Sequence, residues 1–325
     1  MANVIKIKKG LDINLKGKAS DVLLNGGKSE SYAIVPDYYN GILPKVVAKV
    51  GEKVKAGSVL MIDKNRPEIK FVSPVSGEVT AVNRGEKRKV LSIVVKPDAQ
   101  IEYEEFGKKN VASLQGAEVK EVLLNAGMWP FIKQRPYDIV AAPLDTPRDI
   151  FVSAFYSAPL APNFDFIVKG QEADFQTGLN ALAKLTNGKV YVGVRSGSVV
   201  SGMKGVEIVE VEGPHPAANV GVQINHIKPV NKGEVVWTVN PADVIVIGRL
   251  FITGSETTER GYVKTISGCT IKSLVNGKVL GQEHIRIISG NVLTGTKVNM
   301  DGYLGAYDNQ ITVIPEGDET HEFLG

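Results

Sequence analysis

Lys45-Val46-Val47-Ala48-Lys49-Val50-Gly51-Glu52-Lys53 and Gly77-Glu78-Val79-Thr80-Ala81-Val82, the latter followed by Gly85-Glu86-Lys87, decide how the first third of this chain reads. Each is an apolar run closed by a Gly-Glu-Lys turn, and Gly85 follows Gly51 by 34 residues. A second apolar run lies beyond each turn: Val59-Leu60-Met61-Ile62 after the first, Val90-Leu91-Ser92-Ile93-Val94-Val95 after the second. Strand, glycine turn and strand, repeated once, predict two interlocked halves of a small β-sandwich. Asp63-Lys64-Asn65-Arg66-Pro67 reads as the polar hairpin tip between them. Ser73-Pro74-Val75-Ser76-Gly77 marks the entry turn of the second half.

This arrangement resembles biotinyl and lipoyl carrier domains, which have the barrel-sandwich hybrid fold. The resemblance rests on Val50-Gly51, Val54, Gly57, Val59-Leu60 and the Ser73-Pro74 to Gly77 turn. A carrier holds its modified lysine at the tip. Lys64 stands there, but only Met61, Ile62 and Asp63 separate it from Leu60, and no methionine flanks it. A solvated turn lysine is the expected reading. A biotinyl or lipoyl carrier remains an alternative.

The whole chain is 325 residues long. At roughly 100–200 residues per domain this predicts two or three domains. The formal net charge of +3 makes nucleic acid an unexpected partner. The 43% hydrophobic and 22% charged residues are ordinary for a globular protein. One cysteine, Cys269, excludes an intrachain disulfide, a cysteine-rich zinc site and a four-cysteine iron–sulfur cluster. No apolar run approaches the length of about 18 residues that a membrane span needs. The best candidate, Val244-Ile245-Val246-Ile247, is interrupted by Arg249. The basic N-terminus has no apolar segment behind it, so no signal peptide is expected.

The pattern changes near residue 115. Val119, Val122, Leu123 and Ala126 recur at helical spacing, which predicts a short amphipathic helix stopped by Gly127. Tyr137–Ala141, Asp149–Ser153 and Lys189–Val194 read as strands, as does Phe164-Asp165-Phe166-Ile167-Val168. Phe175, Leu179 and Leu182 form the apolar face of a helix that ends at Asn187-Gly188. Strand, helix and strand with short joints make a βαβ unit, so this region is α/β with parallel pairing. Asn240-Pro241 signals a helix over 241–252, with strand as the competing reading of its β-branched run. Tyr262–Ile266, His284–Ile288 and Gln310–Ile314 are strand-like, and a small β-grasp domain fits them. The predicted fold is therefore α+β and multidomain. It comprises a barrel-sandwich hybrid β domain over 1–110, a Rossmann-like α/β domain over 111–256 and a β-grasp (SLBB-like) domain over 257–325.

Few motifs carry chemistry. Gly27-Lys28-Ser29 lacks the glycine five residues earlier that a phosphate-binding loop requires, because Val22 stands there. No G-x-G-x-x-G follows any strand of the α/β domain, so the dinucleotide fingerprint is missing. Ser201-Gly202-Met203-Lys204 matches a four-residue nucleophile pattern without its partner motifs. The histidines His215, His226, His284 and His321 form no metal-binding pair. His215 is the most distinctive, fixed between Pro214 and Pro216. A rigid turn is its ordinary reading, and a ligand or partner contact the sharper one. Trp129-Pro130-Phe131 is the densest aromatic cluster, and burial between domains is the usual fate of such a cluster.

Several stretches together resemble one family, the A-type subunits of the bacterial sodium-translocating NADH:quinone oxidoreductase. They are Lys9-Gly10-Leu11-Asp12-Ile13, Ser73-Pro74 with Gly77, Asn83–Arg88, Glu212-Gly213-Pro214-His215-Pro216-Ala217, Ile288–Gly295, Tyr303-Leu304-Gly305, Asn309-Gln310 and Val313–Gly317. The family continues into a further helical domain, so the resemblance implies a C-terminally truncated member. It implies a peripheral subunit on the cytoplasmic face of the bacterial inner membrane, without membrane spans. Its partners would be five other subunits, the membrane ones above all. The complex would use NADH, flavins, iron–sulfur groups and quinone in respiratory electron transport coupled to Na(+) export.

Related subunits of respiratory complex I and of the Rnf complex bind FMN through a glycine-rich loop after the first helix of their α/β domain. That position here is Gly127-Met128-Trp129-Pro130-Phe131-Ile132, too bulky for phosphate. A scaffold subunit that holds no redox cofactor and oxidises no NADH alone is thus expected. A flavoprotein of the complex I or Rnf kind is the alternative. Trp129, Phe131 and His215 are the candidate quinone or partner contacts; no catalytic, cofactor-binding or metal-ligating residue is expected.

Overall fold

The computed structural model describes residues 3–16, 18–22, 28–107, 109–252, 267–275 and 285–316. The strand predicted over Tyr262–Ile266, Gly27, His284 and His321 lie outside the described residues.

The chain begins with β1 (Asn3–Lys6) and then builds the first β unit. That unit comprises β2 (Tyr32–Ile34), β3 (Pro44–Val46), β4 (Lys53–Val54), β5 (Val59–Asp63), β6 (Lys70–Val72), β7 (Gly77–Arg84) and β8 (Val90–Pro97). Two antiparallel sheets, ordered β2-β8-β7-β4 and β3-β5-β6, face each other. Leu60, Met61, Ile69, Val75, Val79 and Ile93 fill the space between them with no exposure. The expected strand over Lys45–Val50 is short. After Val46 the chain is no longer in a strand, although Val47 and Ala48 still donate to the Leu60 carbonyl.

The second unit contains α1 (Gly116–Asn125), β9 (Ile132–Arg135), β10 (Ile139–Val140), β11 (Ile150–Ser153), α2 (Phe164–Val168), α3 (Glu172–Ala183), β12 (Val190–Val194), β13 (Glu207–Glu212), α4 (Val220–Ile227), β14 (Val236–Val239) and α5 (Pro241–Ile252). One sheet runs β1-β13-β12-β11-β14-β9-β10. β1, β13, β12, β11 and β14 are mutually parallel, while β9 and β10 are antiparallel additions at one edge. β11 and β14 are buried along their whole length. That is the burial expected of strands covered by helices on both faces.

Two features differ from the sequence reading. Phe164–Val168 is helix, not strand: Asn163 Oδ1 accepts from the Asp165 amide at 3.1 Å and caps it. β1 belongs to this second sheet, paired with Val209–Glu212, and not to the first β unit. The helix signalled by Asn240-Pro241 forms as α5. Its packing on α3 is close because Gly178 and Gly248 meet at the crossing. A Cβ on Gly178 would strike the Val244 carbonyl, and one on Gly248 the Asp174 carbonyl.

The third unit contributes α6 (Ile271–Val275), β15 (Ile285–Ser289), β16 (Thr296–Lys297) and β17 (Ile311–Pro315) to the described residues. Its sheet is antiparallel, ordered β16-β15-β17. Cys269, Ile271 and Ile287 lie in its small core.

The three units are joined by specific contacts. The apolar core runs without a break from Leu60 and Phe71 of the first unit to Trp129 and Ile132 of the second. Arg66, in the hairpin tip, donates to the Val140 carbonyl at 3.1 Å and the Gly41 carbonyl at 2.8 Å. Its Nε meets the buried Asp63 carboxylate at 2.7 Å. The tip is therefore docked on the second sheet, while Lys64 beside it stays exposed. The third unit is tied to both others: Tyr38 donates to the Tyr303 carbonyl at 3.2 Å and Tyr307 to the Pro130 carbonyl at 2.7 Å.

Candidate functional site

α1 positions the aromatic cluster. Glu118 accepts from the Gln115 amide at 2.7 Å and starts the helix. Gly127 ends it with a φ of 68°, a left-handed conformation that glycine adopts at little cost. The Gly127 and Met128 amides bond back to the Leu124 and Leu123 carbonyls, and Ala126 to Val122. A Cβ at Gly127 would press on Val72 of the first unit. The amides of this turn thus close the helix and face protein, so the loop that would cradle a flavin phosphate does not fit one here.

The next turn separates the cluster. Trp129 is sealed: its indole N–H donates to the Ala141 carbonyl at 2.8 Å, and its ring meets Trp237 edge-on at 5.3 Å. Phe131 remains partly exposed and lines a cleft of about 1090 Å³. The structure does not bring His215 to this cleft. His215 lies beyond the C-terminal end of β13, its Nδ1 3.0 Å from Ser157 Oγ and its backbone amide donating to Asp12 at 2.8 Å.

The cleft lies where the three units meet. Tyr38, Tyr39 and Phe71 come from the first, Met128, Phe131 and Leu250 from the second, and Leu304 from the third. The lining is mostly apolar and aromatic, the character expected of a site for a small planar or lipid-like molecule. Sequence reasoning found Phe131 and missed the rest, because the lining is assembled from segments more than 200 residues apart.

A cluster of titratable groups adjoins it. β11 and β14 are neighbours, yet the chain leaves β11 toward β12 on one side and returns to β14 on the other. Ligands of open α/β sheets bind at such a reversal, beyond the carboxyl ends of the strands. Here Tyr156, after β11, donates to Asn240 Oδ1, after β14, at 3.1 Å. Asn240 also accepts from the Ala242 amide at 3.0 Å, which caps α5.

Asp243 occupies the first turn of α5. Desolvation raises its carboxyl while Lys133 holds it down, and desolvation prevails, to about 7. The helix N-terminus would also favour the charged form, so the burial effect is the larger one. Burial, reinforced by Asp243, pushes the Tyr39 and Tyr156 phenols up. Burial also raises Tyr307, with Tyr39 and Asp243 adding to it. The Tyr307 ring packs against Tyr39 at 5.6 Å and lies under the Lys133 ammonium at 4.2 Å. Among the described residues no group of three or more histidine, cysteine, aspartate or glutamate side chains could hold a metal ion. Among the same residues no helix is long and apolar enough to cross a membrane.

Three family models match the chain. The "NqrA N-terminal barrel-sandwich hybrid domain" covers residues 5–98, the "NqrA second alpha/beta domain" 114–256 and the "NQRA C-terminal domain" 252–300. Among curated proteins the chain is similar to the A-type subunit of the Na(+)-translocating NADH-quinone reductase of Neisseria meningitidis, with 37% identity over 97% of this chain and 74% of the relative. The same-named protein of Hahella chejuensis is 36% identical, over 99% of this chain and 75% of the relative. That of Vibrio vulnificus is 37% identical, over 98% and 75%.

Proposed function

This chain belongs to the NqrA family, the A-type subunits of the Na(+)-translocating NADH-quinone reductases, and we propose that it serves that complex as a peripheral scaffold which contacts the quinone through its three-unit cleft. The complex is an oxidoreductase that couples electron transfer between NADH and quinone to Na(+) translocation. The observation that carries the proposed role is the mostly apolar cleft of about 1090 Å³ with Phe131 on its wall. A quinone has an apolar ring and tail and two carbonyl acceptors, and such a cleft offers apolar surface with few polar groups.

In this reading the chain holds no redox cofactor. The closed amides after α1 support it, as does the single cysteine. The flavins, iron–sulfur groups and NADH site belong to the other subunits, which this chain meets from the cytoplasmic face of the membrane. Phe131 is the quinone contact. Trp129 supports the turn that presents it, and His215 is left to a contact with another protein of the complex.

The test uses the purified chain and a short-chain ubiquinone. Saturable binding is expected in the wild type, weaker in Phe131→Ala and unchanged in His215→Ala. Absence of saturable binding would sink the quinone role. NADH oxidation by the chain alone would sink the cofactor-free reading.

A further inference from the structure

Two stretches that stand out in the sequence meet in the fold and take no part in the cleft: Lys9-Gly10-Leu11-Asp12-Ile13 and Glu212-Gly213-Pro214-His215-Pro216-Ala217. After β1 the chain crosses the second unit as an irregular strap, held by its amides and by two carboxylates. The Ile7 amide donates to the Glu212 carbonyl at 2.8 Å and the Leu11 amide to the His215 carbonyl at 2.9 Å. The His215 amide donates in return to Asp12 at 2.8 Å, and the Asn163 side chain donates to Asp21 at 3.0 Å. Gly10 passes so close that a Cβ there would strike the His215 carbonyl.

The side chains that these bonds leave outside are of two kinds. Leu11, Ile13 and Leu15 are 71%, 43% and 39% exposed. Lys8, Lys9, Lys16 and Lys18 are exposed as well. Among the described residues no carboxylate lies within ion-pair distance of these four lysines, whereas Lys6 on β1 is met by Glu212 at 3.1 Å. Asp12 and Asp21, the two carboxylates of the strap, are engaged by the second unit. One exposed leucine needs no explanation. Three apolar side chains at alternate positions, flanked on both sides by lysines without counter-charges, form a patch that marks an interaction surface.

We propose that the strap is a lipid-contact surface, on which Leu11, Ile13 and Leu15 enter the headgroup region of an anionic bilayer while Lys8, Lys9, Lys16 and Lys18 pair with lipid phosphates. Apolar insertion and attraction to anionic headgroups are each weak alone and bind when combined. The residue types favour lipid over a protein partner. Protein interfaces are enriched in arginine and aromatic residues and depleted in lysine. From Lys8 to Val22 the chain has four lysines and neither an arginine nor an aromatic residue. A headgroup layer imposes no fixed geometry, so ammonium groups on flexible stems suit it. The contact is interfacial, since among the described residues no helix is long and apolar enough to cross the membrane. No side chain of the strap lines the cleft, so this inference and the quinone reading can fail separately.

The experiment is co-sedimentation of the full chain with vesicles of phosphatidylethanolamine and phosphatidylglycerol, compared with vesicles of phosphatidylcholine. Wild type is expected to partition onto the anionic vesicles and at least about tenfold less onto the neutral ones. The binding should fade as salt is raised from about 0.1 M to about 1 M, where the screening length falls from about 10 Å to about 3 Å. Lys8→Gln/Lys9→Gln should weaken partitioning on the order of 25-fold, about fivefold for each lysine. Leu11→Ser/Ile13→Ser should weaken it by about tenfold or more. All four positions are exposed, so the variants should fold, which circular dichroism checks. Lys87→Gln/Arg88→Gln removes the same charge from the exposed turn between β7 and β8 and should stay within about threefold of wild type. Equal sedimentation with both kinds of vesicle, or with neither, overturns the proposal. So does wild-type partitioning in either strap variant, or an equal loss in the Lys87/Arg88 variant, which would reduce the effect to net charge. Wild type that ignores vesicles but docks through the strap onto the remaining subunits of the complex gives this surface to a protein and also overturns the lipid assignment.

Discussion

Trp129 and Phe131, two residues apart on one tight turn, face opposite ways: Trp129 is fully enclosed against Trp237, and Phe131 lines the cleft between the three units. Their substitutions should therefore separate stability from binding. Trp129→Ala removes a large enclosed side chain and leaves the Ala141 carbonyl without its donor, so it should cost about 3–5 kcal/mol. Phe131→Ala should cost about 1 kcal/mol, since its ring is already partly exposed. Urea unfolding reads the first effect, and quinone binding the second. A Trp129 variant of wild-type stability would contradict the enclosure of its ring.

The sequence showed these two residues as one aromatic cluster. It could not show the division, because that depends on which side of the turn the neighbouring units fill. The same limit recurs elsewhere. α1 and the paired strands of the first unit were legible because their periodicity is local and their glycine turns are explicit. Phe164-Asp165-Phe166-Ile167-Val168 was not, since a five-residue apolar run fits a buried strand or a helix equally well. Asn163, whose side chain caps that helix, was the available signal. β1 pairs with a strand about two hundred residues away, which no local pattern encodes. Asp243 was hidden for a different reason. An acidic residue in the first turn of a helix is ordinary, and only the surrounding units make it unusual.

The α3–α5 crossing should tolerate no added carbon. A methyl group on Gly248 would meet the Asp174 carbonyl, and one on Gly178 the Val244 carbonyl. Both obstacles are backbone, so neither can rotate away. Gly248→Ala should gain about 1 kcal/mol in helix propensity and lose more to overpacking against backbone, a net cost of about 1–3 kcal/mol. Thermal melts check this. An unchanged or raised melting temperature would mean that the helices can separate freely.

The hairpin tip of the first unit should depend on Arg66. Asp63 is buried and accepts from Arg66 at 2.7 Å and from the Leu43 and Asn65 amides at 3.0 and 3.1 Å. Arg66→Ala removes the cation and the two bonds to Gly41 and Val140, and it leaves the carboxylate enclosed. The expected cost is about 3 kcal/mol, the lower part of the range for a broken buried pair, because two amides still serve the carboxylate. Arg66→Lys should recover only part, since an ammonium cannot reproduce the planar fork. Limited proteolysis between residues 63 and 68 should quicken in Arg66→Ala before global unfolding does. Equal cleavage rates in the two proteins would show that the tip is not held by this residue.

The titration of Asp243 also predicts how stability varies with pH, independently of any ligand. Its carboxyl is raised to about 7 in the folded chain, whereas an unfolded aspartate ionises in the ordinary acidic range. Below that range both states hold the proton, and the contribution to stability is fully present. As pH rises, the unfolded chain releases its proton first while the folded chain keeps it, so stability falls. The loss is complete once pH passes about 7, where the folded carboxyl ionises as well. Its size is on the order of 4 kcal/mol. Asp243→Asn cannot ionise and should lack this slope. The variant should therefore gain in melting temperature relative to wild type as pH is raised from about 5 to about 8, and the gain should level off above the titration. Parallel melting curves for the two proteins across that interval would show that Asp243 does not titrate there.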